Sequence, residues 1–399
     1  MMIGFSLSVV LGFGVIQKEE PSVALAKALN TVPQIAKDPI NHFGVDTVLK
    51  MSHRAGGKNF MISPWSVQEC VGMVRLGARG ETDKELANFL KQPGTWLQSA
   101  MGQSQLRAAA APLFSSGQIR QANAIWLRKG FDIQPKFTSH SAEYFDVRPE
   151  TTTFPNPGLK LINTFVSNTT RGKIPKLFDQ LESDTRMVLV NAISFVDKWA
   201  VPFKKADTKE LPFNLFGKSV KNVPTMTARG EYSHGKNSEC EYVSLPYKSG
   251  LKMLIVLPYK GVAIAKVLAQ PNFLKSVSSS LRSEPGSIFI PRWKSEFSWD
   301  LKTWMKQQGA KSCFEPAKAD FSGISKQGLF IGQAIQKTFI KVDEEGTEAA
   351  AATGITMRPT SARVDPPFEF RADRPFAYFI WAPNGVVYFA GVVNNPAGS

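Results

Sequence analysis

The feature that most constrains this chain lies near its C-terminus. AIQKTFIKVD (334–343) and FAYFIWAP (376–383) both read as strands, and between them run about 30 residues, EEGTEAAAATGITMRPTSARVDPPFEFRADRP. Compact domains seldom contain connections longer than about 12–15 residues unless these are functional or disordered. The first half is small in side chain: Thr347, Ala349, Ala350, Ala351, Ala352 and Thr353 follow Gly346, a backbone hinge. Such residues lie exposed without promoting aggregation, and they also slip between two existing strands without steric cost. The second half, Met357-Arg358-Pro359-Thr360-Ser361-Ala362-Arg363 followed by Pro366-Pro367, reads as extended and open to proteases. On composition alone the alanines would serve equally well as a flexible or helical linker.

The remainder has the material for one sizeable core, since 43% of its 399 residues are hydrophobic and 20% charged. No Pro/Gly/Ser-rich linker, fixed-period repeat or charge block divides it. Helical spacing dominates early, in 40–53, in the segment after Ser63-Pro64, and in 83–92 and 99–111. From about residue 117 the pattern turns to strands: QIRQANAIWL, 185–196, 242–247, 251–259, 287–293, 334–343, 376–383 and 385–393, with helix resuming briefly at Asp300–Gln308. Helices first and then many strands imply an α+β architecture rather than a doubly wound sheet.

Several chemistries are disfavoured. Cys70, Cys240 and Cys313 are too few for a disulfide framework or a Cys-rich zinc site. His42, His53, His140 and His234 lack the spacing that sets two imidazoles on one helical face. We therefore expect no metal, no cofactor and no enzymatic activity. Residues 3–16 form an apolar run ended by QKEEPS, the length of an export signal rather than a membrane span. Against this, no Lys or Arg precedes the run, and a helix of a cytosolic protein is the alternative, which three unpaired cysteines would suit. If the chain is exported, Asn168-Thr169-Thr170 is a glycosylation acceptor. The net charge of +15 favours acidic partners through long-range attraction, without choosing among them.

The long connection, continued by Phe370-Arg371-Ala372-Asp373-Arg374-Pro375-Phe376, resembles the hinge, reactive-centre loop and C-terminal signature of the serpin family. The likeness is colinear over roughly residues 38–396. Asn59 to Ser66 resembles the early Ser-Pro-x-Ser motif, and Leu76 to Thr82 the turn after it. Asn163 to Val166 with Thr170 to Ile174 resembles the helix crossing the main sheet. Asn191-Ala192-Ile193 through Trp199 to Phe203, Asp320 to Gly323, and Lys341 to Glu348 complete the set.

The resemblance implies three β-sheets, eight or nine helices and an exposed reactive-centre loop at about 344–370 within a single domain, 38–399; the apolar run adds a signal peptide (1–16) before it, and between them lies an extension (17–37). The resemblance implies a monomer that traps a target serine protease in a covalent complex, and the N-terminal run implies that it is secreted; neither nucleic acid nor membrane is expected as a partner. The protease attacks the loop as substrate, and the cleaved loop inserts into the main sheet before the acyl-enzyme hydrolyses. From Glu344 to Thr360 are 17 residues, which at ~3.3 Å each span on the order of 55 Å. A protease carried that far cannot keep its triad aligned, so deacylation stalls. Fast insertion requires the hinge Glu344, Glu345, Gly346, Thr347, Glu348 and Ala349 to Ala352 to carry little bulk or charge at its inward positions.

By resemblance the scissile bond is Thr360-Ser361, suited to an elastase-like or other small-pocket protease. Arg363 and Arg358 would serve a trypsin-like enzyme instead, and Met357 a chymotrypsin- or elastase-like one. A non-inhibitory serpin, acting as carrier or chaperone, is the alternative reading. The resemblance also assigns a switch region to Ser63, Ser66, Asn191 and Trp199, with Gln336 standing where the family has histidine. A neutral amide there would bond Asn191 and stay uncharged at every pH. Arg292 is expected to pair with Glu344. Heparin-activated serpins place basic residues on the helix before QIRQANAIWL, but 95–116 holds just Arg107; the other basics, at Lys204, Lys205 and Lys209, at Lys218 and Lys221, and at Arg171, Lys173 and Lys176, are diffuse and read as a solvated face, with weak glycosaminoglycan binding as the alternative.

Overall fold

The computed structural model describes residues 34–215, 220–347, 367–383 and 385–398. Helices open the chain: α1 (Gln34–Ser52), then, after β1 (Phe60–Ile62), α2 (Pro64–Arg75), α3 (Gly80–Phe89) and α4 (Trp96–Ser115). Local chemistry sets their starts. Ser63 caps α2 by accepting from the Ser66 N–H, with Pro64 in the first turn where its missing donor costs nothing. Thr95 and Gln98 close a reciprocal capping box on α4.

The middle holds β2 (Ile119–Arg128), α5 (Pro135–Phe145), β3 (Glu150–Thr152), α6 (Gly158–Thr169), β4 (Met187–Phe195), β5 (Asp197–Lys198), β6 (Lys209–Asn214), β7 (Val220–Lys236), β8 (Cys240–Pro246) and β9 (Lys252–Pro258). After α7 (Ile264–Leu268) and α8 (Phe273–Ser280) come β10 (Arg282–Pro291), β11 (Trp293–Asp300), α9 (Leu301–Gln307), β12 (Ile331–Asp343), β13 (Gly346–Thr347), β14 (Phe368–Arg371), β15 (Phe376–Trp381) and β16 (Val387–Val393).

One sheet of seven strands runs β3-β2-β4-β12-β13-β5, with β11 on the other side of β12; the second, of nine strands, runs β1-β16-β15-β9-β8-β7-β10-β14, with β6 on β7. The described strands thus form two hydrogen-bonded networks where three sheets were expected. The cause is β7, whose 17 residues pair in turn with β6, β10 and β8 and so join two groups of strands. The two sheets enclose a core that includes Ile193, Phe195, Ile340 and Val342 from the first, with Val243, Ile255, Tyr378 and Phe389 from the second. On the other face of the first sheet, Ile162 and Val166 of α6 pack over Val188, Val190, Ala192 and Phe339. Nine α-helices are present among the described residues. Periodicity alone missed α5, α6, α7 and α8, of which the resemblance supplied α6; α5 carries a legible signal, Pro135 in its first turn and Phe137, Ser141 and Phe145 buried at four-residue intervals.

Candidate functional site

The first sheet brings the sequence-selected residues together at two places along the boundary between β4 and β12. These strands are parallel and direct neighbours, paired from Met187 and Ile331 up to Ser194 and Phe339. Above Phe339 they diverge, and β13 fills the gap. It pairs antiparallel with β12 (Val342 with Thr347, Asp343 with Gly346) and antiparallel with β5 (Lys198 with Gly346, Asp197 with Thr347). The first two residues of the hinge segment beyond its turn are thus already the start of a strand between two others.

Gly346 is required there. Its φ is +149°, and a Cβ would stand 2.2 Å from the Asp197 carbonyl oxygen and 2.7 Å from the Lys198 Cα, both backbone atoms that cannot turn aside. Thr347 is fully buried, its hydroxyl 2.8 Å from the Tyr247 hydroxyl. The turn between β12 and β13 is held from one side by the segment after β5. Trp199 donates its backbone N–H to Glu345 O at 3.0 Å and its indole N–H to Asp343 O at 2.9 Å, and Phe203 N–H donates to Glu344 O at 2.8 Å. Trp199 is in turn stacked on Tyr247, ring centres 4.4 Å apart.

The two glutamates of the turn are both paired. Arg292 donates its Nε–H to Glu344 at 2.7 Å and its Nη2–H to the same oxygen, which the Thr208 hydroxyl also reaches. Burial alone pushes the Glu344 carboxyl up, but these bonds outweigh it and hold it below the usual carboxylate range. Lys205 reaches Glu345 at 2.7 Å. Thr208, Lys205 and Tyr247 were not linked to the hinge from the sequence; they lie on segments remote from it, and no local pattern marks them as its partners.

The second place lies lower on the same boundary and is completely buried. Gln336, opposite Asn191 in the β12–β4 register, donates to Asn191 Oδ1 at 2.8 Å and to Ser63 O at 3.1 Å, and accepts from Ser63 N–H at 2.9 Å. Asn191 donates to Ser66 O at 2.7 Å and to Asn123 Oδ1 at 3.1 Å, an oxygen that Ser66 Oγ also approaches at 3.2 Å. Ser63 Oγ donates to Tyr388 O at 2.7 Å, so the network joins both sheets through α2. Every member is a neutral group. Asn123, the member the sequence reading left out, has a visible signal: it is the polar residue of the otherwise apolar run ANAIWL.

The remaining candidates are more scattered. Arg107, the lone basic residue of α4, is committed to the buried Glu69 at 2.6 Å. Asn168 is exposed at the end of α6. Cys70, Cys240 and Cys313 are free thiols, all buried. Among the described residues no helix is long and apolar enough to cross a membrane, and no cluster of His, Cys, Asp and Glu could hold a metal. The candidates Glu348, Ala349 to Ala352, Met357, Arg358, Thr360, Ser361 and Arg363 lie outside the described residues, as do the 1–16 segment and most of 17–37.

A family model described as serpin (serine protease inhibitor) matches residues 38–396. The chain is 33% identical over 372 residues to leukocyte elastase inhibitor of Bos taurus, covering 89% of this chain and 97% of that protein. It is 30% identical over 380 residues to protein Z-dependent protease inhibitor of Homo sapiens, covering 91% and 83% respectively. Among solved structures, native protease nexin-1 with heparin matches with a TM-score of 0.79 at 26% identity, over 91% of this chain and 99% of that one.

Proposed function

The chain belongs to the serpin family, and from that premise we propose that it inhibits serine proteases as a suicide substrate, with the segment following Glu344 as its bait. The observation that carries this reading is the position of β13. It stands antiparallel to both neighbours, at the top of a boundary where β4 and β12 pair only with each other and in parallel. Prolonging β13 downwards would exchange one parallel ladder for two antiparallel ones, a more favourable pairing with nearly twice the hydrogen bonds.

The sequence fits that path. Thr347 faces the core, and side chains alternate along a strand, so an inserted segment would turn Ala349, Ala351, Thr353, Ile355 and Met357 inward. Glu348, Ala350, Ala352, Gly354, Thr356 and Arg358 would face outward. Both charged residues then fall on the outer face, and the small ones between them fit beneath α6. Cleavage at Thr360-Ser361 would leave the whole arm attached to the acylated protease, which favours an elastase-like target; Arg363 or Arg358 would give a trypsin-like one. We read residues 1–16 as an export signal and the exposed Asn168 as its glycosylation acceptor.

The test is to nick the loop with a protease that cuts it without being trapped, and to follow thermal unfolding. Insertion predicts a large rise in unfolding temperature with both fragments still associated. An unchanged temperature would exclude insertion and turn the reading to a non-inhibitory serpin.

A further inference from the structure

The chain carries a large positive charge, yet the single basic residue of α4 is neutralised by Glu69. A dense group of cations lies instead on the outer face of the first sheet. Lys337, Phe339 and Lys341 alternate along β12 and therefore share that face, and Lys294 of β11 stands directly opposite Lys341. Lys173 and Lys176 reach the same place from the turn after α6. The ammonium groups of Lys173 and Lys294 lie 5.8 and 5.6 Å from the centre of the Phe339 ring, and Lys337 Nζ donates to Lys176 O at 2.6 Å.

Lys176, Lys294 and Lys341 are about half exposed. Their carboxylate partners are Asp179 at 2.7 Å, Glu296 at 2.6 Å and Asp343 at 3.1 Å. Exposed pairs of this kind contribute only about 0–1 kcal/mol and exchange readily. Two lysines directly opposite across a sheet repel, a local cost that folding alone does not require.

We propose that this face binds a linear sulfated polysaccharide, and that the bound chain acts as a brake on sheet opening. Lys337 and Lys341 stand about 13 Å apart along β12, with Lys294 directly opposite Lys341 and Lys176 beside Lys337, a spread of ammonium groups that suits the spaced sulfates of a linear chain, which need no bidentate partner. Nucleic acid is disfavoured because Phe339, the ring at the centre of the group, is buried and offers no face for base stacking. Lys173 and Lys176 belong to the segment leaving α6, whereas Lys294, Lys337 and Lys341 belong to the β11–β12 side. A polyanion spanning the two would add to the Lys337–Lys176 tie and resist their separation, which a strand entering between β4 and β12 requires. The brake rests on the insertion reading above; the binding does not.

The test uses a heparin-derived octasaccharide and two triple variants of equal charge loss. One is Lys294→Ala with Lys337→Ala and Lys341→Ala; the control is Lys204→Ala with Lys209→Ala and Lys221→Ala, at exposed positions on or beside the β6–β7 hairpin. The first should elute from immobilised heparin at lower salt, with the slope of log affinity against log salt reduced by about three, one per lysine; the control should not. Equal losses in both variants, or none in the first, would overturn the site. For the brake, the octasaccharide should slow the gain in heat stability after nicking in the wild type but not in the first variant. Unchanged or faster insertion, with binding intact, would overturn the brake, whereas a nicked protein that gains no stability even without octasaccharide contradicts the insertion reading instead.

Discussion

The turn between β12 and β13 supports a quantitative prediction, because the side chain that closes it has few and well-defined partners. Glu344 is buried and accepts two guanidinium N–H bonds from Arg292 and one from the Thr208 hydroxyl. Glu344→Gln keeps an acceptor and loses the charge, a cost of about 1–2 kcal/mol. Glu344→Lys loses all three bonds and sets a second cation beside Arg292. Breaking a buried pair costs about 3–5 kcal/mol, and because the Arg292 side chain is 41% exposed, water recovers part of that. We place the lysine variant at about 3 kcal/mol, which corresponds to roughly a hundredfold greater population of molecules open at the top of the sheet. The assay is uptake of a labelled synthetic peptide copying residues 347–360, together with native gels after incubation at graded temperatures. Uptake should rise by roughly a hundredfold in Glu344→Lys and tenfold in Glu344→Gln, with polymers forming in the lysine variant at temperatures where the wild type stays monomeric. A lysine variant with wild-type uptake and no polymers would refute the claim that this turn holds the sheet closed.

Three further outcomes follow from other groups. Gln336→His should create a pH dependence the wild type lacks: a histidine buried in a neutral network resists charging, so its folded pKa falls below about 6.5 and the variant should lose stability as pH drops through that range, measured by denaturant titration at pH 5.5 and 7.5. Glu344 has its pKa lowered in the folded state, so its contribution is fully present above about pH 4.3 and is lost as acid protonates it; Glu344→Gln should flatten that part of the acid-stability curve, and an unchanged curve would show the pairing to be inert. Burial pushes the thiols of Cys70 and Cys240 up to about 12 and raises that of Cys313 as well, so iodoacetamide at pH 8 should label none of the three in the native protein and all of them in denaturant.

How much of this was legible in advance depends on the range of the interaction. The strands 334–343, 376–383 and 385–393 and the capped start of α2 are local patterns of alternation and capping, and they stand in the structure close to where the sequence puts them. The joining of two expected sheets through β7 was not legible, since register along a 17-residue strand is fixed by three different partners far away in the chain. The same division holds within the site. Residue types at Glu344, Gly346 and Gln336 could be singled out through family resemblance. The resemblance also supplied the pairing of Arg292 with Glu344; that Thr208 joins it on the same oxygen, that Tyr247 meets Thr347, and that Asn123 bridges Ser66 and Asn191 depends on segments brought together only by folding.

The central claim, that the energy of strand insertion is used to trap a protease, is tested most directly on a denaturing gel. The purified protein is mixed with elastase-like, chymotrypsin-like and trypsin-like serine proteases, and the mass of any released C-terminal peptide is determined. The account predicts a complex with a small-pocket protease that survives denaturation, accompanied by a peptide beginning at Ser361; a peptide beginning at Val364 would move the bond to Arg363 and the target to the trypsin-like class. Complete cleavage of the loop by every enzyme, with no covalent complex, would contradict it.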